Sequence, residues 1–293
     1  MGRLSTLRSS SFLSIIYLVF INLTLFSCDT PRYPEDDPGF WTYGEWPDHA
    51  PSQDSILFVK DETIYVVGFN DPTPTALVTF ASHPNYHPEG RGFAYEKDSS
   101  IYLKFFGIET HLFLTKGLHP AWSQDGSKLA FYLPRELRNL ETVVDPQVCI
   151  EDYCIQYLDL SQNKLTSVSL NQTLDGYGDN SELPTYFAWG PGDSILFFAS
   201  EHFLGWVNIE SEMVEMIEST NAYSEFMGPL NWSEKNELLL IGKNNSTLGY
   251  DLDLEEQRSW SRTSHADWTH DERGIVYVVY GHDYIFEKSF NWE

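Results

Sequence analysis

Positive charge is scarce in this chain of 293 residues. Lysine and arginine total 18 against 43 aspartates and glutamates, for a formal net charge of −25. That balance argues against binding to nucleic acid or to anionic lipid headgroups, both of which it repels. It suits an exported soluble domain, a basic partner or a divalent cation, and its first effect is solubility. Cysteine is rare, at three residues, and no group of them is spaced for zinc. The chain contains no H-E-x-x-H, no phosphate-binding glycine loop, no EF-hand-like spacing of acids and no G-x-S-x-G elbow. Enzymes that carry a short local signature are thereby set aside. Enzymes that assemble a site from distant segments are not. Helical periodicity is missing beyond the N-terminal region, and only one long apolar run occurs.

That run is Phe12 to Phe26, interrupted by Ser14, Asn22 and Thr24; Arg3 and Arg8 precede it, and no acid occurs before Asp29. Its length is that of a signal-peptide core, short of the roughly 20 apolar residues of a membrane span. It ends in Leu25-Phe26-Ser27-Cys28, which resembles the bacterial lipobox, where a leucine and a small residue precede a cysteine that is lipidated and heads the mature protein. Residues 1–27 are therefore expected to be a lipoprotein signal peptide and Cys28 the lipidation site, with an uncleaved anchor as the alternative. Loss of Arg3 and Arg8 makes the remainder still more acidic. Residues 28–39 are acidic and proline-rich, with little to bury, and read as a tether. The address implied is extracytoplasmic, lipid-anchored to a bacterial membrane, on the outer-membrane or periplasmic side. Asp29 resembles the inner-membrane retention rule of enteric bacteria, which is not general. With Cys28 used, Cys149 and Cys154 remain, in VCIEDYCIQYL. Outside the cytoplasm they are expected to pair as a disulfide at the base of a hairpin, with free thiols as the alternative. The small loop it closes makes it worth on the order of 2 kcal/mol.

The rest of the chain repeats. HPAWSQDGSKLAF around Trp122 has a weaker copy, HPNYHPEGRGFAY, around Tyr86, and further copies around Trp189, Trp232 and Trp268. A degraded one, HAPSQDSILF, has Pro51 at the aromatic's place. Most anchors lie about 36 to 43 residues apart, with one gap of 67. After each turn comes an apolar strand, then an alternating one such as TIYVVGF, SIYLKFF or CIQYLDL, and in most copies a more polar fourth. Short strands rich in Val, Ile and aromatics, split by Gly, Asp and Asn turns, predict an all-β fold. Four antiparallel strands per repeat is the unit of a β-propeller blade, which buries its faces only against its neighbours. The anchor aromatic is expected to wedge between blades. Asp125 is expected to accept backbone N–H bonds in the turn, and Gly126 to take a positive φ. Six blades are expected over residues 40–293, seven being less favoured. FWTYGEW, 40–46, is expected to supply the missing outer strand of the last blade and so clasp the termini.

HPAWSQDGSKLAF, followed by CIQYLDLSQNKLTSVSL, resembles the repeat of TolB-type propellers. The match is good in the third copy; Glu89 and the sequence THDE depart from it in the second and sixth. The resemblance implies the propeller fold and an extracytoplasmic home. TolB has a further α/β domain that engages its partners, and only the tether stands in that place here, so the partners do not carry over. Related propellers gate prolyl-oligopeptidase-like hydrolases, whose nucleophile elbow is missing here.

Two constellations bear on chemistry. HADWTHDERG gathers His265, Asp267, His270 and Asp271, which read alone suggests a metal site; in register with the repeat, His265 and Asp271 become repeat positions. The second crosses blades. His83, His119 and His265 occupy equivalent places before the anchor, with His49 close to that register and Tyr186 and Pro229 breaking the ring. They are candidate ligands for a divalent metal at the channel mouth, weighed against histidine as a plain repeat residue. Irregular aromatics (Phe40, Trp41, Tyr43, Trp46, Tyr177, Tyr223) are candidates for stacking on a partner, with packing of 40–46 as the favoured reading. The function expected is a monomeric, non-catalytic lipoprotein whose propeller binds an envelope protein or polymer. The alternative is a metal-dependent carbohydrate-active propeller, lyase- or hydrolase-like.

Overall fold

The computed structural model describes residues 45–52, 54–71, 73–133, 154–169, 186–200, 203–218, 226–243, 246–261, 263–269, 271–279 and 285–289. The signal peptide, Cys28, the tether, residues 40–44, Cys149, Tyr177, Tyr223 and His270 lie outside them. Cys154 opens a strand, Cys154–Asp159.

The described strands form antiparallel sheets in chain order. Five have four strands and one, the last, has three. Their second strands are the apolar runs that follow each turn: Ser55–Lys60, Gly92–Lys97, Lys128–Tyr132, Ile195–Ala199, Leu238–Lys243 and Gly274–Val279. Such a strand has a neighbouring sheet on each face, so it reads as a continuous hydrophobic run rather than an alternation. Leu57, Phe58, Leu129 to Phe131, Leu196 to Phe198 and Leu239 to Ile241 are buried to the last few per cent. The fourth strand of the fifth sheet, Glu256–Ser261, is largely exposed and carries charge, which blunts an outer sheet edge.

The core is a set of apolar clusters, each lying between two successive sheets. Ile155 and Val168 of the third sheet meet Phe187, Leu196 and Phe198 of the fourth. Phe197 and Leu204 of the fourth meet Leu239 and Ile241 of the fifth. Ile56 and Phe58 of the first meet Val276 and Val278 of the last. Each large side chain so buried contributes roughly 1.5–3 kcal/mol. No sheet could bury both faces alone, and this last cluster closes the circle. The fold is an all-β propeller of antiparallel blades.

The register corrects one expectation. Tyr86, Trp122, Trp189, Trp232 and Trp268 each pair with the second residue of the following strand: Phe93, Leu129, Leu196, Leu239 and Ile275. In the first sheet the partner of Ile56 is His49. His49, not Pro51, thus stands in the anchor's place, and Trp46 stands where His83 and His119 do. The turn in the first copy has the same length as in the third, since Ala50 N–H donates to the Ser55 carbonyl as Ser123 N–H does to that of Lys128. The slip arose because a histidine occupies the anchor position there. Glu45 and Trp46 accordingly belong to the inner strand Glu45–His49, not to a clasp on the last sheet.

Candidate functional site: the channel mouth

Each anchor reaches the preceding sheet. Trp189 Nε1 donates to the Ala121 carbonyl at 3.1 Å and Trp268 Nε1 to that of Asn231 at 3.2 Å. Tyr86 Oη lies 3.2 Å from Ser55 Oγ. Trp232 stacks on Phe197 at 5.1 Å, and Trp122 meets His87 edge to face at 4.8 Å. The residue before the anchor is an aspartate or asparagine in four sheets, and it stitches one inner strand to the next. Asp48 accepts from Tyr86 N–H, Asn85 Oδ1 from Trp122 N–H at 2.7 Å, and Asn231 Nδ2 donates to the Ala266 carbonyl at 2.9 Å. Asp267 of the last sheet accepts from His49 N–H of the first at 2.8 Å.

The turns are stitched as well. Asp193 accepts from the backbone N–H groups of Gln124 and Asp125, at 2.7 and 3.0 Å, in the turn of the preceding sheet. Glu234 does the same for Gly192 at 3.0 Å, and Glu272 for Lys235 at 2.8 Å. Asp125 itself accepts from Ser127 N–H at 2.8 Å and Gly126 takes φ 71°.

Three residues before the anchor, four of the inner strands bulge. Trp46, His83, His119 and His265 all have positive φ, at 55°, 48°, 54° and 45°, and the ladder register shifts at each. A left-handed backbone costs about 1–2 kcal/mol in a residue with a Cβ, and four at one repeat position are a built feature. These side chains converge. The Trp46 ring lies 4.3 Å from His83, 4.7 Å from His265, 5.8 Å from Tyr186 and 6.2 Å from His119. The His83 and His119 rings are 3.9 Å apart.

Beneath these rings stands a residue that the repeat did not single out. Glu96 Oε2 lies 3.0 Å from His83 Nδ1 and accepts from His119 N–H at 3.3 Å. His83, Glu96 and His119 each place one potential ligand atom within 4.8 Å of the others; His265 is not in that group. Burial, then the neighbouring His83, hold His119 well below the ordinary histidine range. The same causes in the same order take His265 down to about 4. Both imidazoles are therefore neutral at neutral pH. Nδ1 of each is buried without a hydrogen-bond partner among the described residues.

Of HADWTHDERG, the three described members face different partners. His265 meets Trp46. Asp271 accepts from Thr269 and Arg273 in its own turn. Asp267 lies buried against Asp48. Burial pushes Asp267 up to about 6, against the pull of its backbone donors. Burial, then the charge of Asp267, raises Asp48 well above the usual carboxylate range. The two carboxyls hydrogen-bond to one another, so the titration of each depends on the other.

A cavity of about 50 Å³ remains at the mouth, lined by Trp46, His83, Asn85, His119, Tyr186 and Pro229 among others. Further along the channel, one of about 210 Å³ is lined by Tyr86, Trp122, Trp232, Trp268, Asp48 and Asp267 among others. Neither reaches the roughly 300 Å³ at which small-molecule sites begin.

No family profile and no curated protein matches the chain. Solved structures do. A TolB-type protein from Agrobacterium tumefaciens is similar at 14% identity and TM-score 0.56, over 87% of this chain and 92% of that one. The fold is that of a TolB-like β-propeller. The chain is also similar to hydrazine synthase of Kuenenia stuttgartiensis, at 10% identity and TM-score 0.55, over 89% of this chain and 100% of that one. An oligogalacturonate lyase solved with manganese matches at 12% identity and TM-score 0.53, over 82% of this chain and 72% of that one. At such identities the likeness is one of fold alone.

Proposed function

We propose that this chain is a bacterial extracytoplasmic lipoprotein whose TolB-like propeller is a non-catalytic protein-binding module at the cell envelope, held to the membrane through Cys28. The observation that carries the binding role is the outer edge of the second sheet. There Phe106, Ile108, Leu112 and Phe113 are 42, 51, 54 and 46% exposed within eight residues. Apolar side chains so concentrated on the outer strand His111–Lys116, at the sheet's edge among the described residues, and on the turn that leads into it mark a surface that a partner protein covers. The carbohydrate-lyase alternative is less favoured. The mouth rings pack on one another, the cavity among them holds about 50 Å³, and the buried carboxyls serve the inter-sheet bonds. In the same reading the three-stranded sheet is the sixth blade, its outer strand comes from residues before Glu45, Cys149 pairs with Cys154, and the chain is monomeric.

Affinity capture with the full chain from envelope membranes tests the binding role. It predicts a protein captured in stoichiometric amount, displaced by excess untagged chain and lost with a folded Leu112→Ser/Phe113→Ser variant. Capture unaffected by that variant would move the partner surface elsewhere, and no displaceable partner would refute the role. Fatty-acid labelling tests the anchor: label should vanish in Cys28→Ala, and its persistence would refute the lipoprotein assignment.

A further inference from the structure

We propose that His83, Glu96 and His119 bind one divalent transition-metal cation of the zinc type, with the Trp46 ring as its cover. The donor set is two imidazoles and one carboxylate from two neighbouring sheets, with one ligand atom from each within 4.8 Å of the others. Small side-chain rotations bring such atoms to the roughly 2.0–2.2 Å of zinc–nitrogen and zinc–oxygen bonds. Nitrogen and oxygen donors of this kind suit zinc and its neighbours in the first transition row rather than calcium or magnesium, which prefer oxygen alone.

A second, independent observation points to a ligand. His119 Nδ1 is buried with no hydrogen-bond partner among the described residues. A buried polar atom left so costs about 1–3 kcal/mol, and a coordinated ion removes that deficit. The surroundings are those of a supported site. Ser82 Oγ lies 3.0 Å from His83 Nδ1, and the His119 backbone N–H donates to Glu96 at 3.3 Å, which fixes the carboxylate. Trp46, 4.3 Å from the His83 ring, supplies an apolar wall that keeps bulk water away. The left-handed bulges at His83 and His119 hold both imidazoles at the mouth at the expense of backbone strain. Three protein ligands leave one position open toward a cavity of about 50 Å³, room for a water-sized fourth ligand. His265, equivalent in the repeat, stands instead against Trp46 at 4.7 Å. The site does not depend on the binding role proposed above, and its test reads metal alone.

The experiment titrates the full chain, freed of metal with a chelator, with zinc chloride, and in parallel with cobalt chloride, whose visible absorption reports coordination. Wild type is expected to bind zinc and to unfold at a higher temperature with it. Glu96→Gln and His119→Phe, each first shown to melt cooperatively without metal, are expected to lose at least tenfold in affinity at this site. His265→Phe is expected to stay within about twofold of wild type. Absence of zinc and cobalt binding by the folded wild type would overturn the proposal. So would wild-type affinity in folded Glu96→Gln and His119→Phe, and an equal loss in His265→Phe would overturn the ligand set.

Discussion

Asp267→Asn tests how the propeller closes on itself. Asp267 Oδ2 accepts from His49 N–H at 2.8 Å and Oδ1 from Trp268 N–H at 2.7 Å, so one carboxyl ties the last inner strand to the first. Its neighbour across the seam is Asp48, itself buried and bonded to Tyr86 N–H. Burial moves Asp267 from 3.8 to about 6, so keeping it ionised in the folded state costs roughly 3 kcal/mol. A raised carboxyl contributes stability that is present at low pH and is lost as pH climbs from about 3.8 through about 6. Between pH 7 and pH 5 the recovery is on the order of 1 kcal/mol. Asparagine keeps an oxygen for His49 N–H, offers an N–H to Asp48 and cannot ionise, but it takes from Trp268 N–H the Oδ1 acceptor, at about 1–3 kcal/mol whatever the pH. The stability difference between variant and wild type should therefore shift in the variant's favour by roughly 1–3 kcal/mol between pH 4 and pH 7. Urea unfolding from pH 4 to 8 measures it. His119 and His265, lowered by burial, act in the opposite sense and lose stability as pH falls below 6.5. They are common to both proteins, so the difference between wild type and variant is the quantity to read. A difference that does not change with pH, or that moves against the variant as pH rises, would refute the reasoning.

Asp193→Ala should cost about 2 kcal/mol by urea unfolding, because it strips two backbone donors of the preceding turn of their acceptor. Asp193→Asn, which keeps one of the two acceptor oxygens, should cost about half of that. Trp189→Phe should cost about 1–3 kcal/mol, since it leaves the Ala121 carbonyl without its donor and thins the wedge between the third and fourth sheets. Gly92→Ala should prevent cooperative melting. A Cβ there would lie 2.0 Å from the Lys104 carbonyl oxygen, in a strand pair with no room to part.

What the sequence made readable follows from how strongly each feature is forced. The second strands stood out because both their faces are buried, which leaves no polar position to blur them. His83 and His119 came together because a repeat places equivalent residues at one end of the channel, and both copies carry His-Pro with an aromatic anchor three residues after the histidine. Trp46 was misplaced because the first copy has a histidine where the others have an aromatic, and a slip of two residues, from His49 to Pro51, brings His49 close to the register of His83. Glu96 carried no signal, since a glutamate near the end of GFAYEK looks like any solvent-facing charge. Its role comes from the neighbouring sheet, which local pattern does not encode. The stitching side chains Asp48, Asn85, Asn231 and Asp267 were legible in principle. They precede the anchor in four copies, and only correct registration of the first copy aligns Asp48 with the rest. Asp193, Glu234 and Glu272 sit at turn positions where any polar residue suits, so their bonds to the preceding turn were not predictable from composition.

The most direct measurement is an anomalous-difference map at the zinc edge from crystals of the full chain grown with zinc. Convergence of the bulged inner strands on one mouth predicts a peak within bonding distance of His83, Glu96 and His119, beneath the Trp46 ring. Well-ordered inner strands with no peak there, or with His83 and His119 turned away from one another between the sheets, would contradict it.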